Sequence, residues 1–201
     1  MLPRPRLLAL ELWGIGDLAL AMPVLRLASE RARVTLLAKP HAAPLLARFA
    51  PGVELIPFVA PWTAFQHKYR LWTWPWTELR RVRRELRSRR FEIGVSARAD
   101  PRDHAVLLAA GCTRRAGFPR RGSRLFLNEG LPPPAPPHRA NHWRALAAHL
   151  GWKFPESAAS APAPAGTSMR RIVMHTGAAQ AARRWPVERF QELAARLRRT
   201  G

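Results

Sequence analysis

Cysteine is nearly absent from this chain of 201 residues, with Cys112 standing alone. That excludes an internal disulfide and any multi-cysteine zinc site, and it fits a reducing compartment. Lysine is scarce too: Lys39, Lys68 and Lys153 only. Acidic residues number 13 against 34 basic ones, so the net charge of +21 comes almost wholly from arginine. No uncharged apolar run approaches the roughly 18–20 residues that a membrane-spanning helix needs. The opening MLPRPRLLALELW has the arginine-then-apolar look of a secretory leader. Glu11 and Asp17 interrupt it, however, so it reads as part of the fold.

What is present is a hydrophobic fraction of 47%. That is enough for a sizeable core and excludes a disordered basic tail. The surplus of arginine attracts polyanions, whether nucleic acid, anionic lipid head groups or phosphorylated sugars, without choosing among them.

The stretch from Leu7 to Leu27, LLALELWGIGDLALAMPVLRL, organises the rest. An apolar run over Leu7–Leu12 breaks at Trp13-Gly14-Ile15-Gly16 and resumes at helical spacing from Asp17. This reads as a buried strand feeding a helix. Gly14 and Gly16 let the backbone bend tightly and let another molecule approach. The third glycine of a dinucleotide fingerprint would fall on Ala19, and an acid in the turn would repel a pyrophosphate, so this is a poor nucleotide-phosphate loop. Asp17 has two readings. The commoner use of such an aspartate is as a helix cap. The other is a general base at the crevice beyond the carboxyl ends of the strands.

Downstream, strands are expected at Val34–Ala38, Val53–Phe58, Phe91–Ser96, Arg114–Phe118 and Leu125–Leu127. Helices are expected at His41–Phe49, Glu78–Arg90, from Pro101 through Ala110, and at His138–Leu150. The alternation predicts a Rossmann-like α/β fold, a parallel sheet flanked by helices. Pro61–Trp76 breaks the pattern with Trp62, Phe65, Tyr69, Trp72, Trp74 and Trp76 among Lys68 and Arg70. Such rings either meet a membrane or a stacking ligand, or simply cover the sheet edge. The helix at 78–90 carries seven arginines and two glutamates. Its basic face is either solvated or rests on anionic lipid, making 62–90 a candidate contact with an anionic membrane surface.

After the fourth strand, Arg98 and Arg102 are suited to bidentate binding of a phosphate or carboxylate, with Asp100 and Asp103 orienting them. Asp100 also fits a helix N-cap with Pro101 at the first helical position. Arg120, Arg121 and Arg124 form a further basic loop. His138 and His142 have chelating i, i+4 spacing, but no carboxylate lies in that helix, and no metal site is expected. Residues 154–169 read as a Ser/Ala/Pro linker between a first domain (1–153) and the start of a second (170–201). The second supplies a strand at Arg170–His175 and a helix from Val187.

Three motifs in order resemble glycosyltransferase family 9, the heptosyltransferases. They are Gly14-Ile15-Gly16-Asp17-Leu18 with Pro23 and Leu25, then Phe91-Glu92-Ile93 with Arg98-Ala99-Asp100 and Arg102, and then His175-Thr176-Gly177-Ala178 with Arg183-Arg184-Trp185-Pro186 and Phe190. The resemblance implies the N-terminal half of a GT-B type inverting glycosyltransferase of bacterial lipopolysaccharide biosynthesis, plus the opening of a second Rossmann-like domain. It implies Asp17 as catalytic base, and an anionic glycolipid acceptor held by Gly16, Arg98, Asp100, Arg102 and Arg120. It implies a nucleotide-sugar donor, ADP-heptose, bound by Gly177, Ala178 and Arg183, with no cofactor, no metal and no nucleic acid. Arginine at 183 stands where the family usually has lysine, and Thr176 where it has proline. The place implied is cytoplasmic, peripheral on the inner membrane, and a chain ending at Gly201 is expected to be inactive alone. The competing reading is a basic module that docks on nucleic acid or membrane without catalysis.

Overall fold

A computed structural model describes residues 3–64, 70–153, 172–178 and 181–200. The chain divides into two units, 1–159 and 160–201. In the first, six strands lie parallel: β1 (Arg6–Glu11), β2 (Arg33–Ala38), β3 (Glu54–Pro57), β4 (Ile93–Ser96), β5 (Arg114–Gly117) and β6 (Glu129–Gly130). Their order is β3-β2-β1-β4-β5-β6, so the direction of progression reverses between β1 and β4.

Helices cover both faces. α1 (Ile15–Ser29), α2 (Ala42–Phe49) and α5 (Arg139–His149) lie on one, α3 (Trp76–Ser88) and α4 (Pro101–Ala109) on the other. Successive side chains of a strand point to opposite faces. Leu7 and Ala9 of β1 therefore pack with Leu18, Leu25 and Trp143, while Leu8 and Leu10 pack with Val82, Leu86 and Leu107. A central strand buried on both sides reads as an unbroken apolar run, which is why β1 was legible without alternation. Glu11 is the exception. Its odd position puts it on the α1 and α5 face, and it is 5% exposed.

Several expectations need correction. Leu125–Leu127 is not a strand: Ser123–Phe126 forms a 3-10 turn, and pairing resumes only at β6. Gly122, at φ +77°, turns the chain, and the Ser123 hydroxyl, which bonds His104 and accepts the Arg120 N–H, curls it. α1 begins at Ile15 with Gly14 as N-cap, so Asp17 lies in the first helical turn and is not the cap. Neither Gly14 nor Gly16 has positive φ. The turn therefore uses their lack of a side chain and not their left-handed freedom.

In the Pro61–Trp76 stretch some rings cover the sheet and others do not. Trp62 is buried and Trp74 half-buried against the α3 and α4 face, whereas Leu71, Trp72 and Trp76 are exposed. Phe65, Lys68 and Tyr69 lie outside the described residues, as do the linker 154–169 and Arg170. In the second unit, residues 172–178 form no strand, contrary to expectation. A strand exists by pairing, and the described residues of that unit offer no neighbouring strand. Its helix forms as expected: α6 spans Val187–Thr200.

Candidate active site

In an open parallel sheet, ligands settle beyond the carboxyl ends of the strands, where the order reverses. Here that place lies between β1 and β4, and both chains leaving it bring charge. From β1 the chain passes through Trp13 and Gly14 into the first turn of α1, which presents Asp17. From β4 it passes through Ala97 to Arg98. Arg98 Nη1 donates to Asp17 Oδ2 at 3.0 Å, and Arg139 Nε, from the first residue of α5, lies 3.6 Å from Oδ1. The Asp17 side chain keeps 29% of its surface in solvent. At Gly16 a Cβ would meet nothing within 4 Å, so the space over this turn is open. An accessible carboxylate held by two guanidiniums, beside open backbone, has the layout that a proton acceptor for a bound hydroxyl needs.

The support behind Asp17 is built from aromatic and buried polar groups. The Arg98 guanidinium stacks on the Trp13 ring, 3.9 Å from its centroid. The Trp13 indole N–H donates to Asp103 Oδ2 at 3.1 Å, and the Trp62 indole N–H donates to Oδ1 at 2.9 Å. Asp103 thus orients two indoles rather than the arginines expected of it. Burial pushes its carboxyl up to about 6 against the two indole donors, which favour the ionised form. His104 is buried, and desolvation lowers its basicity. The carbonyl of Arg98 can only accept, so the 3.0 Å contact with Nε2 makes that nitrogen the N–H, leaving Nδ1 to the Ser123 hydroxyl at 2.9 Å.

Asp100 caps α4 by accepting the Arg102 N–H at 2.9 Å, and the Arg102 side chain clamps the same carboxylate at 2.9 and 2.7 Å. Burial alone would raise Asp100; the Arg102 bonds outweigh it and hold the carboxyl below its ordinary value. Asp100, Arg102, Arg120 and Arg121 line one open cleft of about 600 Å³ together with Ala99, the neighbour of Arg98. Of the residues expected to hold an acceptor, Asp100, Arg102 and Arg120 thus share this cleft, while Gly16 and Arg98 do not line it and lie instead at the Asp17 turn.

The residues expected to bind a donor, Gly177, Ala178 and Arg183, belong to the second unit. There the Ala178 carbonyl accepts from Arg184 Nε at 2.8 Å, Gly177 lies beside His175, and Arg183 closes a short 3-10 turn. Trp185 packs edge-on against Phe190, with centroids 4.8 Å apart.

Two charged groups near Asp17 were not read as site residues in the sequence. Glu11 was visible as a charge inside an apolar run, the signal of a buried polar exception. Arg139 had no local signal at all. In the His138–His142 pair, His138 Nδ1 caps α5 and His142 Nδ1 meets the His138 carbonyl. Among the described residues no group of three or more His, Cys, Asp or Glu could hold a metal. Burial pushes the Cys112 thiol up to about 12, so it stays protonated and inert.

The model of glycosyltransferase family 9 (heptosyltransferase) matches residues 79–201, more than half of the chain. The chain belongs to glycosyltransferase family 9. Solved structures agree on the fold. E. coli heptosyltransferase WaaC with ADP aligns with 96% of this chain and 64% of its own, at 19% identity and a TM-score of 0.71. The same protein with ADP-2-deoxy-2-fluoro heptose gives 96%, 65%, 18% and 0.72. E. coli ADP-heptose lps heptosyltransferase II covers 98% of this chain and 62% of its own, at 22% identity and 0.62. The family 9 chain thus spans less than two thirds of the length of these structures. No curated protein sequence matches it.

Proposed function

We propose that this family 9 chain is the acceptor side of an inverting GT-B glycosyltransferase, with Asp17 as general base. Asp17 takes the proton of an acceptor hydroxyl, the oxygen attacks the anomeric carbon of a nucleotide sugar, and the diphosphate leaves. The observation that carries the reading is Asp17 itself, a half-buried but accessible carboxylate at the β1/β4 reversal, held by Arg98 and Arg139 beside the open space at Gly16. Positioning of the acceptor hydroxyl against this carboxylate supplies much of the acceleration. The cleft of Arg102, Arg120 and Arg121 fits the phosphates or carboxylates of an anionic lipopolysaccharide-core acceptor. Solved relatives hold ADP and a fluorinated ADP-heptose, which supports ADP-heptose as the donor, with Gly177, Ala178 and Arg183 on the donor side and no cofactor or metal. Arg183 would offset charge growing on the leaving diphosphate.

No helix among the described residues is long and apolar enough to cross a membrane. Contact with a cytoplasmic membrane surface is proposed through α3. Arg80, Arg83, Arg84 and Arg87 of that helix line one patch with Arg90 just beyond it, and Leu71, Trp72 and Trp76 are exposed in the preceding segment and at the helix start.

The test is Asp17→Asn in a chain extended through the donor side. Transfer from ADP-heptose to a phosphorylated core oligosaccharide should fall by at least ~100-fold, while calorimetry shows the acceptor still bound. Near-normal turnover would refute the role of Asp17.

A further inference from the structure

Between α3, α4 and one face of the sheet lies an apolar cavity of about 320 Å³. Leu79 and Val82 of α3 line it from one side and Val106 and Ala109 of α4 from another, with Trp62 and Trp74 beside them. Protein interiors are close-packed, with few voids larger than a water. At the ~30 Å³ that a water takes in the liquid, this space would hold about ten, and it stands at the lower end of small-molecule pockets. Part of it exists because α4 contributes Ala105 and Ala109, one turn apart, where longer side chains would fill it. Water in such a space finds few polar partners, so the content that suits it is an apolar chain.

Only two of the lining residues are charged, Arg83 and Arg102. Arg102 is clamped to the Asp100 carboxylate. Arg83 is exposed and enters none of the ion pairs among the described residues, whereas Arg81 and Arg89 of the same segment are neutralised by glutamates. The uncompensated charge at the cavity therefore belongs to α3. Arg83 also lines the patch of Arg80, Arg84, Arg87 and Arg90, so the cavity is continuous with that basic surface. Trp76, another lining residue, is exposed and marks where the space opens. An apolar space with an unpaired cation at its rim complements an amphiphile whose acyl chain carries an anionic head.

We propose that this cavity takes one acyl chain of an anionic membrane phospholipid, with the lipid phosphate on Arg83. The inference rests on the membrane contact proposed through α3 for the source of the lipid, while the site itself is testable without a membrane or sugar transfer. Burial of methylenes draws the chain in, and the phosphate gives Arg83 the anion that no side chain supplies. Stable attachment to a membrane takes two signals, and an inserted chain adds the second to the arginine patch. It also sets the α3 and α4 face of the first unit against the bilayer.

The experiment titrates lauroyl lysophosphatidylglycerol, kept below its micelle concentration, into the 201-residue protein and follows binding by calorimetry. The wild type should saturate at one lipid per chain, and the decanoyl analogue, two methylenes shorter, should bind ~10-fold more weakly. Filling the cavity with Ala105→Leu and Ala109→Leu together should weaken binding by at least ~10-fold, and Arg83→Gln should weaken it by ~5-fold. No saturable binding by the wild type overturns the proposal, as does unchanged affinity in either variant. Equal affinity for the uncharged dodecyl maltoside overturns it too, because the head would then play no part. Should the filled variant fail to fold, nuclear Overhauser contacts from the lipid chain to the Val82 and Val106 methyls of the wild type decide, and their absence at saturation overturns the site. Monomeric lipid bound as expected, without attachment to phosphatidylglycerol vesicles, would support the cavity's ligand and instead fault the proposed membrane contact.

Discussion

Trp13 joins two kinds of interaction in one side chain. Its face carries the Arg98 guanidinium and its indole N–H is tied to Asp103, so a buried carboxyl fixes a ring that fixes a cation that fixes Asp17. The rigidity has an electrostatic cost. Glu11 and Asp103 are both buried, with carboxyls raised to about 7 and about 6. A folded-state value above the unfolded one means that the folded protein holds the proton more tightly. The associated stability is complete below about pH 4 and is lost as pH rises through 6 to 7. Asp100 and Glu129, held low chiefly by Arg102 and Arg114 against their burial, work the other way in acid. The melting temperature should therefore rise as pH falls from 7.5 to about 5, and drop again only in stronger acid. For Glu11 the displacement from 4.5 to about 7 corresponds to roughly 3 kcal/mol at most. Differential scanning calorimetry of Glu11→Gln should show a flatter profile between pH 5 and 7. A wild-type profile that falls steadily from 7.5 to 5 would contradict this account.

At the scale of elements, β4 and α3 are the most exacting. Gly94 lies in β4 where an added Cβ would stand 2.8 Å from Cys112 Sγ and 3.0 Å from Leu107 Cδ2. Gly94→Ala should cost about 1–3 kcal/mol in urea denaturation by overpacking. Adding Cys112→Ala should recover part of the loss, and a neutral Gly94→Ala would disprove the packing argument. α3 and the two arginines that follow it show how charge is sorted along one segment. Arg81 is neutralised by Glu78 and Glu85, and Arg89 by Glu54 and Glu85. The arginines at 80, 83, 84, 87 and 90 face solvent together. Near an anionic surface each contributes about 1 kcal/mol. Replacing Arg80, Arg83, Arg84 and Arg87 by Gln should weaken binding to phosphatidylglycerol vesicles by at least ~100-fold, with little change on phosphatidylcholine. Equal binding by the variant would remove α3 from the contact. Tight, steeply salt-dependent binding of single-stranded DNA would favour the competing docking function.

At the scale of the whole molecule, the sequence determined the α/β class, the central strand and the residues of the β1 and β4 turns. These follow from local causes: an apolar run too short for a helix, glycines that stop it, and a Pro-preceded cap at Asp100. It misplaced Leu125–Leu127 and residues 172–175, because a strand is defined by the neighbour it pairs with and an apolar triplet does not name one. It also read Asp103 as an outward partner for arginine, since nothing local distinguishes a carboxylate facing water from one facing two indoles. The order of the strands, the meeting of Asp17 with Arg98, and the approach of Arg139 from more than a hundred residues away belonged to tertiary structure alone. Helices and turns form from interactions within a few residues, whereas strand pairing and an ion pair between distant segments exist only once the sheet has chosen which edges to join.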